Sequence, residues 1–409
     1  MTFPVEYADC CRIVRSLALP FARASIMSGD LLQPRELPDE RRRVTAGAVA
    51  RFFGLDNEEV SALTKLETYE QWAGYIFRGP AGLGLTNLAF STSGSTGPPM
   101  FHSFTAQELE EEAQSLEPFF AGAGRVVSVM PVHHIFGFAF AVMLPRILGI
   151  EVLDRHPLPS DDFFKALQPG DLILAFPVFW KSVLDMSSGP RPPVLPPEIH
   201  GVSSGAPCPP EVIEGLLAAG PVGGRQLCAG MTEIYGATEF GAVGLRRECR
   251  GDYALLPHWR RVALPGQEDV EEWGIQRKHG GPQPLPDRLD WRDERNFRPL
   301  RRKDKAVQVA GINVFPEQVA EILRGHPMVA DCAVRLMRPE EGARLKAFVV
   351  PQHDLVAVTL LMRELRRMIA DRLEPAARPK SIRFGKRLPR TASGKAADWD
   401  INDGNAVSV

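Results

Sequence analysis

The sequence lacks an excess of either charge, a paired-cysteine pattern and any long hydrophobic run. Its 48 lysines and arginines nearly balance 50 aspartates and glutamates, and a formal net charge of −2 argues against a nucleic-acid partner. The longest apolar run, Ile135–Leu144, is too short to span a membrane. The absence of a Cys-x-x-Cys pair argues against a zinc site and a disulfide framework. The six cysteines are Cys10, Cys11, Cys208, Cys228, Cys249 and Cys332.

Free cysteines and the start of the chain indicate a cytoplasmic protein. Unpaired thiols are typical of a reducing compartment. Charged residues such as Glu6, Asp9 and Arg12 lie near the start, which does not predict a signal peptide. A hydrophobic content of 44% and a charged content of 24% are typical of a soluble globular protein, and 409 residues are too many for one core. We therefore expect two or three subdomains.

Helix and strand patterns alternate in the first half of the chain. Residues before about 85 have helical spacing, with Asp56 as a helix cap. Thr105 and Glu108 form a capping box that predicts a helix to about Phe119. The alternation beyond it predicts an α/β fold with a mostly parallel sheet, in which ligands bind beyond the carboxyl ends of strands. The predicted strands are 125–130, 151–153, 171–176 and 199–203, and the predicted helices are 137–144, 178–185 and 210–219.

The pattern changes after about residue 253. Proline, glycine, tryptophan and alternating charge fill residues 253–299, where we predict irregular strands and a linker. A compact α+β unit follows. We therefore predict a large N-terminal domain, residues 1–302, and a small C-terminal domain, residues 303–409. In the small domain the predicted strands are 306–309, 329–336, 346–350 and 382–384, and helices begin at Pro316 and Thr359.

One loop combines hydroxyl side chains with glycines directly after an apolar strand. All residues from Ser91 to Gly97 are serine, threonine or glycine. Bare N–H groups and hydroxyls in such a loop are suited to binding phosphate oxygens. The loop is not of the Walker form, because Pro98-Pro99 follows Gly97 where that form has lysine and a hydroxyl residue. An ordinary Ser/Gly turn between a strand and a helix explains the loop equally well at this point.

A second stretch, Ile234-Tyr235-Gly236-Ala237-Thr238-Glu239, places an aromatic ring, a turn glycine, a hydroxyl and a carboxylate close together. Tyr235 can stack on a base and Thr238 can donate to a phosphate oxygen. Glu239 can hold Mg²⁺, a hard cation that prefers oxygen ligands. A strand that ends in an ordinary turn is the alternative explanation.

Two later stretches carry basic residues beside turn-forming residues. The first, residues 301–317, contains Arg302, Asp304 and a Gly-x-x-Val-Phe-Pro segment. The second is Leu-Pro-Arg-Thr-Ala-Ser-Gly-Lys, which ends at Lys395. A lone lysine near a C-terminus is usually a solvated surface charge. The turn formers before Lys395 nevertheless allow this lysine to be carried into a cleft.

In this order, the four stretches resemble the adenylate-forming superfamily of acyl- and aryl-CoA synthetases, peptide-synthetase adenylation domains and luciferases. The resemblance extends from about residue 86 to 397 and is closest in style to the small aryl- and acyl-acid ligases. It implies that a small carboxylic acid is activated with ATP and Mg²⁺ as an acyl-AMP, with release of pyrophosphate. A thiol then takes the acyl group. CoA and the phosphopantetheine arm of an acyl carrier protein are both open as the acceptor.

The resemblance also implies roles for individual residues. Tyr235 stacks on adenine, Thr238 contacts the α-phosphate and Glu239 holds Mg²⁺. Lys395 is the lysine required for adenylation, and Asp304 is the hinge between the domains. The other implied nucleotide-binding residues are Thr92, Ser93, Gly94, Ser95, Thr96 and Gly97 for the β- and γ-phosphates, Ser204, Gly205, Ala206, Pro207 and Gly236 for adenine, and Asp287 and Arg302 for the ribose and phosphates.

The same resemblance implies where the acid binds. His134 is the gate beside the acyl carboxylate, with catalytic importance, and the mostly apolar residues around it predict an aromatic carboxylic acid rather than a fatty acid. Buried helix positions explain the phenylalanines equally well. The predicted pocket residues are His134, Phe136, Phe138, Val202 and Gly230.

The chain departs from the family pattern at several positions. Met100 replaces the lysine that usually ends the phosphate loop, and Gln308 stands where many members carry a lysine. The segment before the phosphate loop is also shorter than usual. These departures leave two alternatives open, which are adenylation followed by transfer to an amine, and a degenerate relative that binds nucleotide or acid without turnover.

Overall fold

The computed structural model describes residues 5–22, 31–79, 87–92, 100–189, 192–218, 226–264, 273–303, 306–309, 312–338, 340–353, 358–390, 397–401 and 406–408. Within these ranges the fold is mixed α/β, as predicted, with a nine-stranded sheet, a four-stranded sheet and three two-stranded sheets. No helix in the same ranges is long and apolar enough to cross a membrane.

The beginning of the chain is helical, as its spacing predicts. Asp56 is confirmed as a helix cap, because its carboxylate accepts a hydrogen bond from the N–H of Glu59 at 2.9 Å. The first helix packs against the second and the fourth. These elements are α1 (Tyr7–Ala22), a short 3₁₀ helix (Pro34–Glu36), α2 (Asp39–Phe53), α3 (Asn57–Thr64) and α4 (Tyr69–Arg78).

A hairpin and a long helix come next. β1 (Asn87–Ser91) pairs antiparallel with β2 (Phe101–Thr105), and α5 (Ala106–Phe120) begins directly after β2. The predicted capping box is confirmed. The N–H of Glu108 donates to Thr105 Oγ1 at 3.2 Å, and the N–H of Thr105 donates to the Glu108 carboxylate at 2.8 Å.

The nine-stranded sheet is parallel on one side and antiparallel on the other. Its order is β12–β13–β9–β8–β7–β6–β5–β3–β4. The strands from β4 to β7 run parallel, whereas β7, β8, β9 and β13 are antiparallel neighbours. The strands are β3 (Arg125–Ser128), β4 (Glu151–Asp154), β5 (Asp171–Ala175), β6 (His200–Ser203), β7 (Gly230–Ala237), β8 (Gly241–Arg246), β9 (Tyr253–Leu255), β12 (Asp287–Trp291) and β13 (Asn296–Arg302).

Helices between the strands bury the apolar side chains of the sheet. Phe179, Trp180 and Leu216 pack in one cluster with Ile173 of β5 and Met231 of β7. Each large apolar side chain buried in this way contributes roughly 2 kcal/mol. The connecting helices are α6 (Ile135–Phe138), a π-helical turn (Ala139–Met143), α7 (Leu144–Leu148), α8 (Asp161–Lys165), α9 (Pro177–Ser187) and α10 (Pro210–Leu217).

Residues 253–299 are more regular than predicted. The described part of this segment holds five strands, so the prediction of irregular strands and a linker was wrong. Besides β9, β12 and β13, it forms a hairpin of β10 (Trp259–Ala263) and β11 (Trp273–Arg277), in which Trp259 pairs with Arg277. Pairing between distant parts of the sequence stabilises these strands, and local composition does not reveal such pairing.

The C-terminal residues form an α+β unit with its own core, at the positions that the sequence predicts. Leu323, Val349 and Leu365 are fully buried members of this core. β16, β17, β18 and β19 form a sheet in that order. The elements are β14 (Val307–Val309), β15 (Ile312–Val314), α11 (Pro316–Arg324), β16 (Val329–Leu336), β17 (Leu345–Pro351), α12 (Val358–Arg372), a 3₁₀ turn (Pro375–Ala377), β18 (Ser381–Phe384) and β19 (Ala406–Ser408).

The chain divides into two compact units. The larger contains Met1–Thr92, Met100–Leu285 and Asp290–Arg298, and the smaller contains Pro286–Leu289 and Pro299–Val409. The domain boundary at residue 302 and the hinge at Asp304 stay predictions. Asp304 lies outside the described residues.

Candidate active site

The carboxyl ends of β6 and β7 bring two of the predicted stretches together. The strands are parallel neighbours, with Ser203 opposite Glu233. Just beyond this pair, Ser204 Oγ donates a hydrogen bond to the carbonyl oxygen of Ile234 at 3.1 Å. The segment Ser204–Pro207 therefore lies next to Tyr235, at the edge of the sheet where the sequence places the ligand.

Gly205 is required by the backbone at this edge. Its φ of +87° lies in the left-handed region that favours glycine. A Cβ at this position would also lie 3.0 Å from the ring of Phe176. The residue is exposed to solvent.

Tyr235 lies at an irregularity in the sheet. The register between β7 and β8 shifts between Tyr235 and Gly236, and such bulges re-aim side chains near active sites. The half-buried Tyr235 ring packs against the rings of Tyr253 and Phe297, with centroid separations of 5.8 and 5.3 Å. These contacts hold the ring in one orientation, which suits a stacking platform.

A buried ion pair beneath this edge was not predicted from the sequence. Glu233 Oε2 accepts from Nε of Arg246 at 2.6 Å, while Oε1 accepts from the N–H of Cys208 at 3.0 Å. The Arg246 guanidinium also lies 4.6 Å from the centroid of the Tyr253 ring. Burial, followed by the nearby Glu233 charge, raises the pKa of Tyr253. The pair joins the segment after Ser204 to β7. Glu233 stands between Thr232 and Ile234, and this local pattern does not predict a buried carboxylate.

Thr238 and Glu239 occupy the tight turn between β7 and β8. The N–H of Phe240 donates to the carbonyl oxygen of Ala237 at 3.1 Å and closes this turn. Thr238 and Glu239 are both half-buried. Within the part of the chain that the structure describes, no hydrogen bond or ion pair occupies the Glu239 carboxylate. Carboxylate oxygens are the ligands that a hard divalent cation prefers.

The structure describes the base of the hydroxyl–glycine loop. The N–H of Thr92 donates to the carbonyl oxygen of Met100 at 2.8 Å, which continues the pairing of β1 with β2. The loop residues from Ser93 to Gly97 lie outside the described residues. Met100, at the position of the usual lysine, is 64% exposed.

His134 stands at the start of α6. Burial lowers its pKa to about 4, and burial together with the neighbouring His134 lowers the pKa of His133 to about 3. The two rings lie 4.6 Å apart, and His133 Nδ1 is 2.8 Å from the hydroxyl of Ser16 in α1. Both imidazoles are thus neutral near pH 7, when His134 can hydrogen-bond an anion only as a neutral donor.

The helical segment that follows His134 contains a π-helical turn, and a side chain of α1 binds its backbone. Pro145 has no N–H, so the carbonyl of Ala141 lacks its helical donor. Arg12 Nη1 of α1 donates to that carbonyl instead, at 2.8 Å. At its other end, Gly137 allows close approach to the loop, because a Cβ there would lie 2.2 Å from the carbonyl oxygen of Pro131.

The predicted acid-pocket residues are not all found together. Phe136 is partly exposed and packs on Phe140, with ring centroids 4.9 Å apart. Phe138 instead lies in the core, 5.4 Å from the ring of Phe90. Val202 is buried in β6. Gly230 pairs with His200 at the amino end of β7, the opposite end of this strand from Tyr235, and this arrangement gives no support to its predicted role.

The smaller unit holds the remaining predicted residues. Asp287 and Arg302 lie on the neighbouring strands β12 and β13. The N–H of Lys303 donates to the carbonyl oxygen of Pro286 at 2.8 Å, which brings the two positions to the same end of the pair. Lys395 lies outside the described residues, and a hydrogen bond of 3.0 Å from the N–H of Ala397 to the carbonyl of Pro389 joins the segments on either side.

Comparisons with solved structures agree with this fold. The chain aligns with an o-succinylbenzoate CoA synthetase of Bacillus subtilis at a TM-score of 0.61 and 18% identity, covering 99% of this chain and 94% of the other. It also aligns with an amide bond synthetase of Marinactinospora thermotolerans at a TM-score of 0.61 and 16% identity, covering 95% and 92%. These likenesses show the fold.

Sequence comparisons identify the family. Residues 84–267 match the model of the AMP-binding enzymes, and residues 318–395 match the model of the AMP-binding enzyme C-terminal domain. The chain is 39% identical over 310 residues to a 4-coumarate–CoA ligase of Halorhodospira halophila, covering 76% of this chain and 75% of the relative. It is 37% identical over 367 residues to a 4-coumarate–CoA ligase of Rhodobacter capsulatus, covering 87% of each. The chain therefore belongs to the AMP-binding enzymes of the adenylate-forming superfamily, as an acyl-CoA synthetase-like ligase.

Proposed function

We propose that this ligase joins an aromatic acid of the hydroxycinnamate type to CoA in two half-reactions. The observation that carries the proposal is the arrangement at one edge of the sheet, where Ser204–Pro207, Tyr235 and the Thr238–Glu239 turn lie together. The acid class is supported by relatives that are named for 4-coumarate. CoA is the acceptor in the same names, and no observation favours an acyl carrier protein.

In the first half-reaction, a carboxylate oxygen of the acid attacks the α-phosphorus of ATP. The bond from that phosphorus to the bridging oxygen breaks, and pyrophosphate leaves. Both reactants are anions, so the site must offset their repulsion. Thr238 would donate to the α-phosphate, and the ring of Tyr235, held by its aromatic neighbours, would stack on adenine.

Glu239 fits the part of a Mg²⁺ ligand. Its carboxylate is half-buried in the turn, and among the described residues no lysine or arginine side chain pairs with it. Mg²⁺ takes one or two carboxylates together with phosphate oxygens, so a single carboxylate here suits an ion that arrives with ATP. Bound Mg²⁺ would neutralise charge on the phosphates.

The roles of Lys395, Arg302, Asp287 and Asp304 follow from the family resemblance. Lys395 would add a positive charge beside the attacking carboxylate in the first half-reaction. In the second, the CoA thiol loses its proton and attacks the acyl carbon, and the bond to AMP breaks. Rotation at Asp304 between the two steps would remove Lys395 from the site and open a path for the thiol.

The acid pocket that we propose is smaller than the predicted set. His134 remains the gate, and Phe136 is the aromatic residue beside it that is partly exposed. Because burial keeps His134 uncharged, it would orient the acid by a hydrogen bond rather than hold it by an ion pair. Gly230 is left out, since it lies at the other end of β7.

The test is a panel of acids with a readout of pyrophosphate release. 4-Coumarate, its dihydro analogue and octanoate separate a flat aromatic acid from a bent one and from a fatty acid. We expect release to be fastest with 4-coumarate and slower by about tenfold or more with the dihydro analogue, because a flat pocket rejects the bent chain. Release with octanoate alone would overturn the acid class.

The acceptor is tested in the same reaction mixtures. CoA, a carrier protein with its phosphopantetheine arm and an amine are offered side by side, and the products are identified by mass. We expect the CoA thioester. An amide would support the alternative in which an amine accepts the acyl group, and the absence of acid-dependent pyrophosphate release would support a degenerate relative.

A further inference from the structure

A buried ion pair lies directly behind the Thr238–Glu239 turn. Glu112 belongs to the middle of α5 and Arg277 to the end of β11, and they are only 1% and 4% exposed. Arg277 Nη2 lies 3.5 Å from Glu112 Oε2. The two residues come from distant parts of the sequence and meet beneath the hairpin that joins β7 to β8.

Each member of this pair binds the backbone just after Glu239. Glu112 Oε1 accepts from the N–H of Ala242 at 2.9 Å. Arg277 Nη2 donates to the carbonyl oxygen of Phe240 at 2.9 Å. A carboxylate and a guanidinium thus hold one donor and one acceptor of the same short segment, and hydrogen bonds to charged groups are stronger than neutral ones.

The glycines of the turn leave room for this contact. Gly241 has a φ of +75°, and a Cβ there would lie 2.1 Å from Glu112 Oε2. A Cβ at Gly236 would lie 2.3 Å from the carbonyl oxygen of Gly241. The Glu112 carboxylate therefore packs directly against the backbone of Gly241, and β7 and β8 approach each other closely at the turn.

Further contacts hold the pair itself in place. Arg277 Nη1 donates to the carbonyl oxygen of Glu108 at 3.0 Å, and its guanidinium lies 4.4 Å from the centroid of the Trp259 ring. Trp259 Nε1 donates to the carbonyl oxygen of Ala242 at 2.9 Å. Ala242 is thereby fixed through both its N–H and its carbonyl group.

The ion pair itself is weak evidence for a stabilising role. Apolar residues of similar volume usually replace a buried ion pair without loss of stability, because the charges no longer have to leave water. We propose that Glu112 and Arg277 are positioning residues that hold the turn so that Thr238 and Glu239 face the nucleotide and its Mg²⁺. This inference rests on the proposed roles of Thr238 and Glu239.

The test uses a double variant, Glu112→Leu with Arg277→Met, which removes both charges and leaves none uncompensated. We expect a lower melting temperature but a protein that is still folded at the assay temperature, because the N–H of Ala242 and the carbonyl oxygens of Phe240 and Glu108 lose their partners while the space stays filled by apolar atoms. We expect kcat for acid-dependent pyrophosphate release to fall about tenfold or more, since a misplaced group loses catalysis steeply. Thioester formation from supplied acyl-AMP, which needs no Mg²⁺ on Glu239, should fall less.

A matched control removes an exposed pair of the same kind. Glu214 and Arg250 are 2.8 Å apart, with side chains 50% and 70% exposed. The variant Glu214→Leu with Arg250→Met should retain the native rate. A double variant of Glu112 and Arg277 that is stably folded and releases pyrophosphate at the native rate would overturn the inference.

A separate variant distinguishes this inference from the proposed function. Glu239→Gln removes the proposed Mg²⁺ ligand directly and should lower pyrophosphate release by about a hundredfold and raise the Mg²⁺ concentration needed for ATP binding, measured by calorimetry. If Glu239→Gln has no effect, the proposed role of the turn is wrong. If Glu239→Gln is impaired and the double variant is not, only the positioning role is wrong.

Discussion

Single buried residues set how this protein responds to acid. Burial, with a smaller effect of Arg247, lowers the pKa of His200 to about 4, from an ordinary value of 6.5. His200 Nε2 is 2.8 Å from Thr232 Oγ1. A histidine with a lowered pKa binds a proton more readily in the unfolded chain, so its contribution to folding is lost as the pH falls from 6.5 towards 4. Three other histidines share this direction, namely His133, His134 and His258.

Replacing His200 tests whether its lowered pKa makes the folded protein less stable in acid. We expect His200→Gln to reduce the loss of unfolding free energy between pH 6.5 and 4.5 by about 1–2 kcal/mol, because one of the groups that charges on unfolding is gone. Urea denaturation at several pH values in this range measures it. His353→Gln, at an exposed position, is the control substitution. An unchanged slope in His200→Gln would contradict the assignment.

Glu112 has the opposite effect on the stability of the folded protein in acid. Burial raises the pKa of Glu112 to about 7, although Arg277 and the N–H of Ala242 act to lower it. A carboxyl group with a raised pKa binds its proton more readily in the folded state. Its effect is therefore to favour the folded protein more as the pH falls from about 7 towards 4.5, the ordinary value. These histidines and this carboxyl group therefore change the stability in opposite directions as the pH falls.

The proposed charge at Lys395 gives a second prediction for a single residue. Lys395→Ala should lower acyl-AMP formation by about a hundredfold or more, because the cation that offsets repulsion in the first half-reaction is gone. Thioester formation from supplied acyl-AMP should be spared. Single-turnover assays of each half-reaction measure the two effects. Equal loss in both halves would show that Lys395 does not act selectively in adenylation.

At the scale of elements, the hairpin of β7 and β8 depends on its glycines. Gly241→Ala should destabilise the protein by about 2–4 kcal/mol, because it combines a left-handed φ with a Cβ only 2.1 Å from Glu112 Oε2. Gly54→Ala is a matched control. Gly54 has a similar φ of +67°, but a Cβ added there would have no atom within 4 Å, so the cost should be about 1 kcal/mol.

Thermal or urea unfolding of the two glycine variants measures the difference between them. That difference isolates the contact with Glu112 from the strain of the backbone. Equal destabilisation in both variants would mean that Glu112 moves away at little cost. The turn would then be held more loosely than its hydrogen bonds to Glu112 and Arg277 indicate.

The same hairpin shows what the sequence could and could not predict. The start of α5 was predictable, because Thr105 and Glu108 form a capping box within one turn. The sequence also marks Tyr235 and Glu239 as candidates, since their types follow one another in the chain, and their roles stay predictions. The bond from Arg277 to the turn was not, because pairing between distant elements leaves no local pattern. Glu112 did leave a signal, as a carboxylate at helical spacing between the buried Leu109 and Leu116.

At the scale of the whole molecule, the two units have separate cores and separate buried charges. In the smaller unit, Lys346 of β17 is fully buried. Its Nζ lies 2.7 Å from the carboxylate of Glu341, 3.1 Å from that of Asp398 and 2.6 Å from the carbonyl oxygen of Trp399. Burial alone would raise the pKa of Glu341, but hydrogen bonds from Lys346 and Arg338 hold it at about 2.

These contacts predict an effect that is confined to one unit. Lys346→Met keeps the length of the side chain but leaves the buried Glu341 without one of its cations, and breaking a buried pair in this way costs about 3 kcal/mol. We expect the smaller unit to lose its hydrogen-exchange protection at a lower urea concentration than in the native protein. The larger unit should unfold at its native midpoint, because its core contains none of these residues.

The control for Lys346→Met is Lys181→Met in the larger unit. Lys181 pairs with Asp185 at 2.9 Å, but both side chains are 61% exposed, and exposed pairs contribute at most about 1 kcal/mol. Hydrogen exchange resolved along the chain separates the two units. If protection falls equally in both units of Lys346→Met, they unfold as one cooperative body, and the division into separate cores does not describe their stability.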